Sequence, residues 1–361
     1  MRLSNTHPAL RQCWHPVARS GEVTDRPSKV RLLGESWVLY RVDGRPVAFL
    51  DRCPHRYAPL SLGERSGDNL RCAYHGWCFD SSGRCIEIPA LGPGAALPPR
   101  ARLTPPFAVA ERYGLVFLAP EAPLSELPSV DSAGDPTFEM VELVPTEARV
   151  GAGQTADNFL DFAHFPFLHR ATIGTDESAL LHPYAVDRDG LSFKVVYEHP
   201  VANRVDPGVA AGIRPLVQTR RMTYWYHAPF FLVLRLEYLE AGAVNVLGFF
   251  IQPQTDASCR LYTTVWCNDL GGDPVRREAL IAFEQKILDE DLALQTQFDE
   301  LSLPLELSAE IHTRADKNTV ELRRVLADLV AMAAPEPAPD SPAVLASLVL
   351  GAPVPEAHLQ V

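Results

Sequence analysis

The first third of the chain alternates short apolar runs with turn residues, a pattern typical of β-strands joined by tight turns. In VRLLGESWVLYRVDGRPVAFLD, two such runs flank Asp43-Gly44, a pair that favours a two-residue hairpin turn. WCFDSSGRCIEIP repeats the arrangement around Gly83, and AERYGLVFLA (110–119) predicts a closing strand. These runs predict a small all-β domain over residues 1–120.

Proline-rich segments interrupt this pattern. LGPGAALPPRARLTPP (91–106) must be a loop, and residues 121–136 are predicted to link two domains. Beyond them, a second domain (137–333) contains apolar and β-branched runs, then two long helical patterns, which together indicate an α+β fold with an antiparallel sheet. Residues 334–361 are predicted to be a flexible tail. Strands are predicted at 191–200, 218–239, 243–253 and 259–268, and helices at 273–303 and 306–333.

One helical pattern contains polar residues at unexpected positions. In DNFLDFAHFPFLHR (157–170), phenylalanines and leucines supply a large apolar surface, yet Asn158, Asp161 and His164 recur every three residues. Pro166 then interrupts the pattern before a second histidine, His169. Hydrogen-bonded core histidines would be the simpler interpretation. The repeated spacing instead favours a functional site on the inner face of the helix.

Composition narrows the class of protein. The 361 residues are 47% hydrophobic and 22% charged, which is typical of a globular protein, and no apolar run is long enough to span a membrane. The net charge of −12 argues against nucleic-acid binding. No secretory segment is recognisable, so a cytoplasmic location is expected. The seven cysteines are an odd number in a large chain and argue against a disulfide scaffold.

Four residues form a candidate metal motif. CPHRYAPL (53–60) and CAYHGW (72–77) give Cys-x-His, sixteen intervening residues and Cys-x-x-His. Two cysteines and two histidines can hold a structural zinc ion or a [2Fe–2S] cluster with cysteines on one iron and histidines on the other. Pro54 and Gly76 fit tight loops that present ligands at their tips, and zinc fingers rarely begin with Cys-x-His. The cluster is therefore favoured.

This motif resembles that of the Rieske non-heme iron oxygenases. The resemblance implies that Cys53 and Cys72 bind one iron, and that His55 and His75 bind the other. Respiratory Rieske proteins carry an additional cysteine pair between the two loops, whereas other residues, Ala73 among them, take those positions here. This difference favours an oxygenase-type cluster. Cys78 and Cys85 lie outside the motif and are interpreted as core thiols.

A second metal site is predicted at His164 and His169. With one carboxylate they would form a 2-His-1-carboxylate triad, which binds Fe(II) and leaves positions open for O₂ and substrate. Residues five apart on a straight helix are rotated by about 140° net, so the two histidines could not face one metal. We expect a kink at Pro166 to bring His169 round. The pattern N-x-x-D-x-x-H-x4-H resembles the mononuclear iron motif of the same family.

The third ligand is sought on the helix LIAFEQKILDEDLALQTQFDEL (280–301). At about 100° per residue, Asp291 lies within the apolar stripe, Glu290 lies to one side, and Asp289 points to solvent. A carboxylate on a buried stripe is costly unless it binds something. Asp291 is therefore the first candidate and Glu290 the second. Family members commonly carry a Glu-Asp pair here with the aspartate as ligand.

The resemblance also implies how the two sites communicate. An acidic residue at the position of Asp161 connects an iron-ligating histidine, here His164, to a cluster histidine of a neighbouring subunit, here His75. This implies a head-to-tail ring, usually a trimer. Asn158 lies on the same inner face and is predicted to belong to the catalytic site.

The family fold is a Rieske β-domain followed by a helix-grip (START-like) catalytic domain, and the chain is most similar to the phthalate- and vanillate-type group. The implied reaction uses O₂ and NAD(P)H electrons, delivered by a separate ferredoxin or flavin reductase, to hydroxylate or oxidatively demethylate a small organic molecule. The sequence contains no glycine-rich nucleotide-binding loop, so the reductase must be another protein.

The sequence alone leaves two alternative functions open. An electron-transfer Rieske protein would explain residues 53–77 but would leave His164, His169 and Asp291 without a role. A ligand-binding module that lost its mononuclear metal would not need all three. Aromatic residues at 222–234 and 246–252 suit an aromatic or polycyclic substrate, with Arg220-Arg221 or His227 as possible polar contacts.

Overall fold

The computed structural model describes residues 1–173 and 178–333, so the predicted tail at 334–361 lies outside the described residues. Within this part of the chain no helix is both long and apolar enough to cross a bilayer. The first eleven strands are β1 (Arg2–Leu3), β2 (His15–Arg19), β3 (Ser28–Leu32), β4 (Glu35–Val42), β5 (Arg45–Leu50), β6 (Glu64–Ser66), β7 (Asn69–Arg71), β8 (Cys78–Phe79), β9 (Cys85–Glu87), β10 (Ala108–Arg112) and β11 (Leu115–Ala119).

Strands β2 to β11 form small antiparallel sheets of order β3-β4-β5, β6-β7-β8-β9 and β10-β11-β2, whereas β1 pairs with Leu303–Pro304 near the end of the described chain. The predicted hairpin at Asp43-Gly44 is confirmed, because Val42 pairs with Arg45 and both turn residues have positive φ. The single closing strand predicted at 110–119 is wrong. This segment is a hairpin that reverses at Gly114, where φ is +72°.

The second half of the described chain is an antiparallel sheet that packs on helices, so the α+β prediction is confirmed. Its strands follow the order β12-β19-β18-β17-β16-β15-β14, and β13 also pairs with β19. The remaining elements are β12 (Glu139–Glu142), β13 (Thr146–Ala148), α1 (Ala152–Leu160), α2 (Phe165–Leu168), β14 (Val186–Asp189), β15 (Ser192–Ala202), α3 (Pro207–Ala210), β16 (Val217–His227), β17 (Phe231–Tyr238), β18 (Ala243–Thr255), β19 (Ser258–Cys267), α4 (Pro274–Gln295), β20 (Leu303–Pro304) and α5 (Lys317–Met332).

Three predicted boundaries differ from the structure. The strand run at 218–239 is two strands, because a tight turn at Ala228-Pro229 separates β16 from β17. The predicted helix 273–303 begins after Asp273, whose carboxylate accepts a hydrogen bond from Val275 N (2.9 Å), but ends at Gln295. The helix predicted at 306–333 begins only at Lys317, since the segment before it folds into turns.

The two halves share apolar packing. One core extends from Val17 and Trp37 in the early strands to Leu247 and Leu326 in the second half. Buried Arg19 donates hydrogen bonds to the carbonyl oxygens of Leu143 and Thr263 and so ties β2 to the large sheet. Within the segment predicted as a linker, Leu127 and Val130 are buried against the large sheet.

Candidate functional site

The segment 157–170 contains two helices rather than one kinked helix. Helix α1 ends at Leu160, and Asp161 is extended (φ −77°, ψ 136°) while its Oδ1 accepts a hydrogen bond from Ala163 N (2.9 Å). Helix α2 then starts at Phe165 with Pro166 in its first turn, where the missing N–H breaks no helical bond. The predicted break at Pro166 is therefore wrong. The change of direction occurs at Asp161.

This break brings the two histidines together. Nε2 of His164 lies 3.1 Å from Nε2 of His169. Oδ1 of Asp291, from the distant helix α4, lies 3.1 Å from Nε2 of His169 and 3.6 Å from Nε2 of His164. One ligand atom from each of the three residues lies within 4.8 Å of the others. Two imidazole nitrogens and a carboxylate oxygen thus converge on one point.

The other nitrogen of each imidazole has its own acidic partner. Nδ1 of His164 lies 3.2 Å from Oδ2 of Asp161, and Nδ1 of His169 lies 2.9 Å from Oε2 of Glu290. Glu290 also accepts a hydrogen bond from the hydroxyl of Thr172 (2.6 Å). Such partners orient the ligands of metal sites and fix their tautomers. The structure therefore separates the two neighbouring carboxylates, with Asp291 facing the shared point and Glu290 behind His169.

The electrostatics of this cluster fit a divalent cation. Oδ1 of Asp291 is buried and accepts no hydrogen bond within the described residues, which would be costly without a positive partner. Burial lowers the pKa of His169, but the carboxylates of Asp291 and Glu290 outweigh it, so the pKa is raised. Hydrogen bonds from His164 and Ala163 N outweigh burial at Asp161 and lower the pKa of its carboxyl. The donor set is the one that non-heme Fe(II) sites use.

The predicted cluster ligands lie at the tips of two loops. Cys53 and Cys72 are buried, and their backbone N–H groups each donate 2.9 Å hydrogen bonds, to the carbonyls of Ala58 and Trp77. The rings of His55 and His75 lie side by side, with centroids 4.5 Å apart. The two thiols are thus neighbours of each other, and so are the two imidazoles. The remaining motif-adjacent thiols, Cys78 and Cys85, are buried as predicted.

The chemistry of the loops fits a [2Fe–2S] group with mixed ligands. Burial raises the pKa of the Cys53 thiol to about 11, and the neighbouring Cys72 thiol adds to the increase. Two adjacent thiolates therefore need a compensating positive group. Nδ1 of His55 is buried and has no hydrogen-bond partner within the described residues, as a metal-binding nitrogen would be. The His55 ring stacks on Trp77 at 4.6 Å, which fixes its orientation.

An apolar cavity of about 130 Å³ opens beside His164, His169 and Asp291. Part of its wall comes from strands that the sequence analysis named, through Met222, Leu234 and Leu247. Other predicted contacts lie elsewhere. His227 faces away and pairs with the hydroxyl of Ser192 (2.8 Å), and Arg221 pairs with Glu198 (2.9 Å). Arg220 does line the cavity, and Asn158 lines it while accepting a hydrogen bond from Gln295 (2.9 Å).

A polar group that was not predicted from the sequence lies at the same cavity. Glu284 of α4 lines its wall and is buried. Like Asp291, Glu284 lies on the apolar stripe of α4, because at about 100° per residue it is only about 40° from Leu280. Arg214, which also lines the cavity, carries no comparable sequence signal, since it comes from a loop after α3.

Comparisons with known proteins agree with this arrangement. Residues 149–332 match the family described as vanillate O-demethylase oxygenase C-terminal domain, and residues 13–107 match the Rieske [2Fe-2S] domain. Methylxanthine N1-demethylase NdmA of Pseudomonas putida is 29% identical over 330 residues, which cover 89% of each chain. Methylxanthine N3-demethylase NdmB of the same organism is 29% identical over 332 residues, covering 87% of this chain and 88% of NdmB.

Solved structures show the same likeness. The structure of Pseudomonas putida NdmA with caffeine superposes with a TM-score of 0.80 at 28% identity, covering 91% of this chain and 93% of NdmA. Dicamba monooxygenase bound to 3,6-dichlorosalicylic acid has a TM-score of 0.79 at 23% identity, covering 90% of this chain and 98% of the other. At 23% identity, the similarity to dicamba monooxygenase shows a shared fold and nothing further.

Proposed function

Since this chain belongs to the Rieske non-heme iron oxygenases of the vanillate O-demethylase type, we propose a role for each residue of its two sites. The family assignment makes it the oxygenase component of a system that hydroxylates or oxidatively demethylates organic molecules. Two similar proteins are named methylxanthine N-demethylases, so demethylation of a small ring compound is the reaction to test first. The convergence of His164, His169 and Asp291 beside an apolar cavity supports an oxygenase over an electron carrier.

We assign His164, His169 and Asp291 as ligands of a mononuclear Fe(II), and Cys53, His55, Cys72 and His75 as ligands of the cluster. With both groups bound, the cluster supplies electrons and the Fe(II) site supplies reductive O₂ activation. The protein's own contribution is positional. Glu290 holds the ring of His169, Asp161 holds that of His164, and the apolar walls exclude bulk water from the reacting bond.

We further propose that Asp161 receives the electron path from another subunit. It borders a surface groove beside His164 in which Phe167 and Ile311 are exposed, and its own carboxylate is only partly buried. His75 is exposed on its loop and can approach such a groove from outside. A homotrimer that docks the cluster loops of one chain against this groove in the next satisfies both observations. Asn158, hydrogen-bonded to Gln295, supports the same wall.

The remaining components are also proposals. We infer that electrons come from NAD(P)H through a separate ferredoxin or flavin reductase, and that the protein works in the cytoplasm. Membership of the Rieske oxygenase family supports the first inference, because such oxygenases imply reductase or ferredoxin partners.

A reconstituted system tests the proposal. Purified protein loaded with iron and sulfide is mixed with a surrogate reductase, NADH and small N- or O-methylated ring compounds. We expect three irons per chain, a Rieske-type EPR signal after reduction, and O₂-dependent release of formaldehyde. Two irons per chain and no O₂-dependent product with any compound would instead indicate an electron-transfer protein.

A further inference from the structure

The cavity beside the candidate iron site contains a second carboxylate on the same helix. Along α4, Glu284 and Asp291 both line the cavity. They are seven residues apart, which places them about 10 Å apart along the helix axis and within about 20° around it. Ile287 lies between them on the same face. One wall of the cavity therefore has a metal-facing carboxylate at one end and Glu284 at the other.

Within the described part of the chain, no side chain or backbone group hydrogen-bonds the Glu284 carboxylate. The residue is 8% exposed, and its side chain forms no hydrogen bond or ion pair with any described residue. Burial raises the pKa of the Glu284 carboxyl to about 7, to which nearby Asp206 adds. A buried carboxyl without a partner costs stability unless another molecule supplies one.

The cation that acts on Glu284 is Arg214, which already forms ion pairs with other carboxylates. Arg214 lies 3.2 Å from Asp206 and 2.5 Å from Asp269, and it also donates to the side-chain oxygen of Asn245 (3.1 Å). Its guanidinium stacks on the ring of Tyr238 at 3.8 Å, which holds it in place. Two carboxylates already oppose this one guanidinium. The surroundings of Glu284 are therefore negative rather than neutral.

Two further cations, Arg276 and Arg220, line the cavity, but neither is among the charges that shift the pKa of the Glu284 carboxyl. Arg276 pairs with Asp273 (3.4 Å). Arg220 donates to Nε2 of His199 (2.9 Å), and burial lowers the pKa of that imidazole to about 3, so it acts as a neutral acceptor. The charges that act on the Glu284 carboxyl are those of Asp206 and Arg214.

We propose that Glu284 determines substrate specificity by accepting a hydrogen bond from an N–H group or a protonated amine of the substrate. This inference rests on the proposed oxygenase function. The substrate class is a small, mostly apolar ring compound whose nitrogen group lies at the opposite end from the carbon that is oxidised. A carboxylate at that end of the substrate would be repelled by Glu284 and Asp206.

Calorimetric titration of the iron-loaded, oxidised protein under nitrogen tests the inference without turnover. The probes are 4-methylbenzylamine, 4-methylbenzoate and p-xylene, which share a ring and a methyl group but carry positive, negative and no charge. We expect the amine to bind most tightly. Glu284→Gln should weaken amine binding about tenfold or more, since a charged hydrogen bond is lost, and should leave p-xylene binding unchanged. Glu278→Gln, at an exposed position of the same helix, is the matched control.

The pH dependence of the wild-type protein provides a second measurement that needs no variant. Because the Glu284 pKa is raised to about 7, the affinity for the amine should rise as pH increases from 6 to 8. In Glu284→Gln this rise should disappear. An affinity that falls over this range would mean that the protonated carboxyl is the donor, and would overturn the inference.

Other outcomes separate this inference from the proposed function. If the protein binds three irons and oxidises methylated compounds, but 4-methylbenzoate binds as tightly as the amine, only the assignment of Glu284 fails. The same holds if Glu284→Gln leaves amine binding unchanged, or if the amine does not bind at millimolar concentration. Absence of the third iron would instead count against the oxygenase function itself.

Discussion

Replacement of Asp291 by alanine tests the metal site most directly. Among the described residues, Asp291 supplies the carboxylate oxygen that faces both Nε2 atoms, at 3.1 Å and 3.6 Å. Its neighbour Glu290 contacts Nδ1 on the far side of His169, at 2.9 Å, and the hydroxyl of Thr172, at 2.6 Å. If the geometry assigns the roles correctly, Asp291→Ala removes a ligand, whereas Glu290→Gln removes only the charge of an orienting partner.

The two variants should differ in magnitude. Loss of an orienting partner typically reduces metal affinity about 10- to 100-fold, and glutamine keeps an acceptor oxygen for Nδ1 of His169, so Glu290→Gln should fall near tenfold. Asp291→Ala leaves two imidazoles 3.1 Å apart without any anionic ligand, and its loss should exceed 100-fold. In free energy, the gap between the variants is at least about 1.4 kcal/mol.

Iron content and EPR measure this difference without relying on activity. After dialysis against a chelator, we expect Asp291→Ala to retain two irons per chain with an unchanged Rieske-type EPR signal. Competition titrations with Fe(II) then give the affinity of Glu290→Gln. Asp289→Ala, on the exposed face of α4, is the control and should keep three irons. If Glu290→Gln loses the third iron as completely as Asp291→Ala does, the assignment of Asp291 is refuted.

Three further predictions use other parts of the structure. Asp161→Asn should keep both metal sites, because the amide keeps an acceptor for Nδ1 of His164, but it should lower the turnover number on the order of 100-fold, because the proposed electron path runs through this carboxylate. Rapid-mixing reoxidation of the cluster measures the effect, and wild-type rates would contradict the prediction. Cys53→Ser should abolish the Rieske-type EPR signal while the third iron, measured by metal analysis, remains. Burial lowers the pKa of His15 to about 4, although the ring contacts the carbonyl of Leu10. The folded state therefore binds this proton less readily than the unfolded state. The free energy of unfolding should fall by at most about 3 kcal/mol as pH drops from 6.5 to 4. Thermal melting of His15→Gln should show a shallower pH slope, and the same slope as wild type would disprove this.

Local signals account for what could be predicted from the sequence. The loops around Cys53 and Cys72 need only short spacing and tight turns, so their ligands are recognisable without knowledge of the fold. The position of Asp291 on the buried face of α4 follows from helix periodicity, a local property, although its contact with His169 joins residues more than a hundred positions apart. Asp43-Gly44 forms its turn for the same reason, because the dipeptide accepts positive φ.

The incorrect predictions of secondary structure lie where a local sequence signal and the folded backbone disagree. Pro166 is a strong helix breaker in sequence, yet the chain turns at Asp161, where a side-chain oxygen can satisfy a backbone N–H after the helix ends. Pro166 then fits the first turn of a new helix. Gly114 similarly turned one predicted strand into a hairpin. The helix ends at an extended Asp161 and the strand reverses at a positive-φ Gly114, which are the positions where the backbone departs from the predicted element.

Glu284 was overlooked for a different reason. Its position on the apolar stripe was readable, but a single carboxylate there has no obvious partner, whereas Asp291 had two histidines to explain it. The structure shows that the two carboxylates lie on one face of one helix. Because a packed helix fixes their separation at about 10 Å, the group that recognises the substrate and the site that oxidises it keep a constant distance. The carbon that is oxidised should therefore be set by its distance from the nitrogen that Glu284 binds. Homologous amines with a longer chain between ring and nitrogen should then shift the site of oxidation along the molecule.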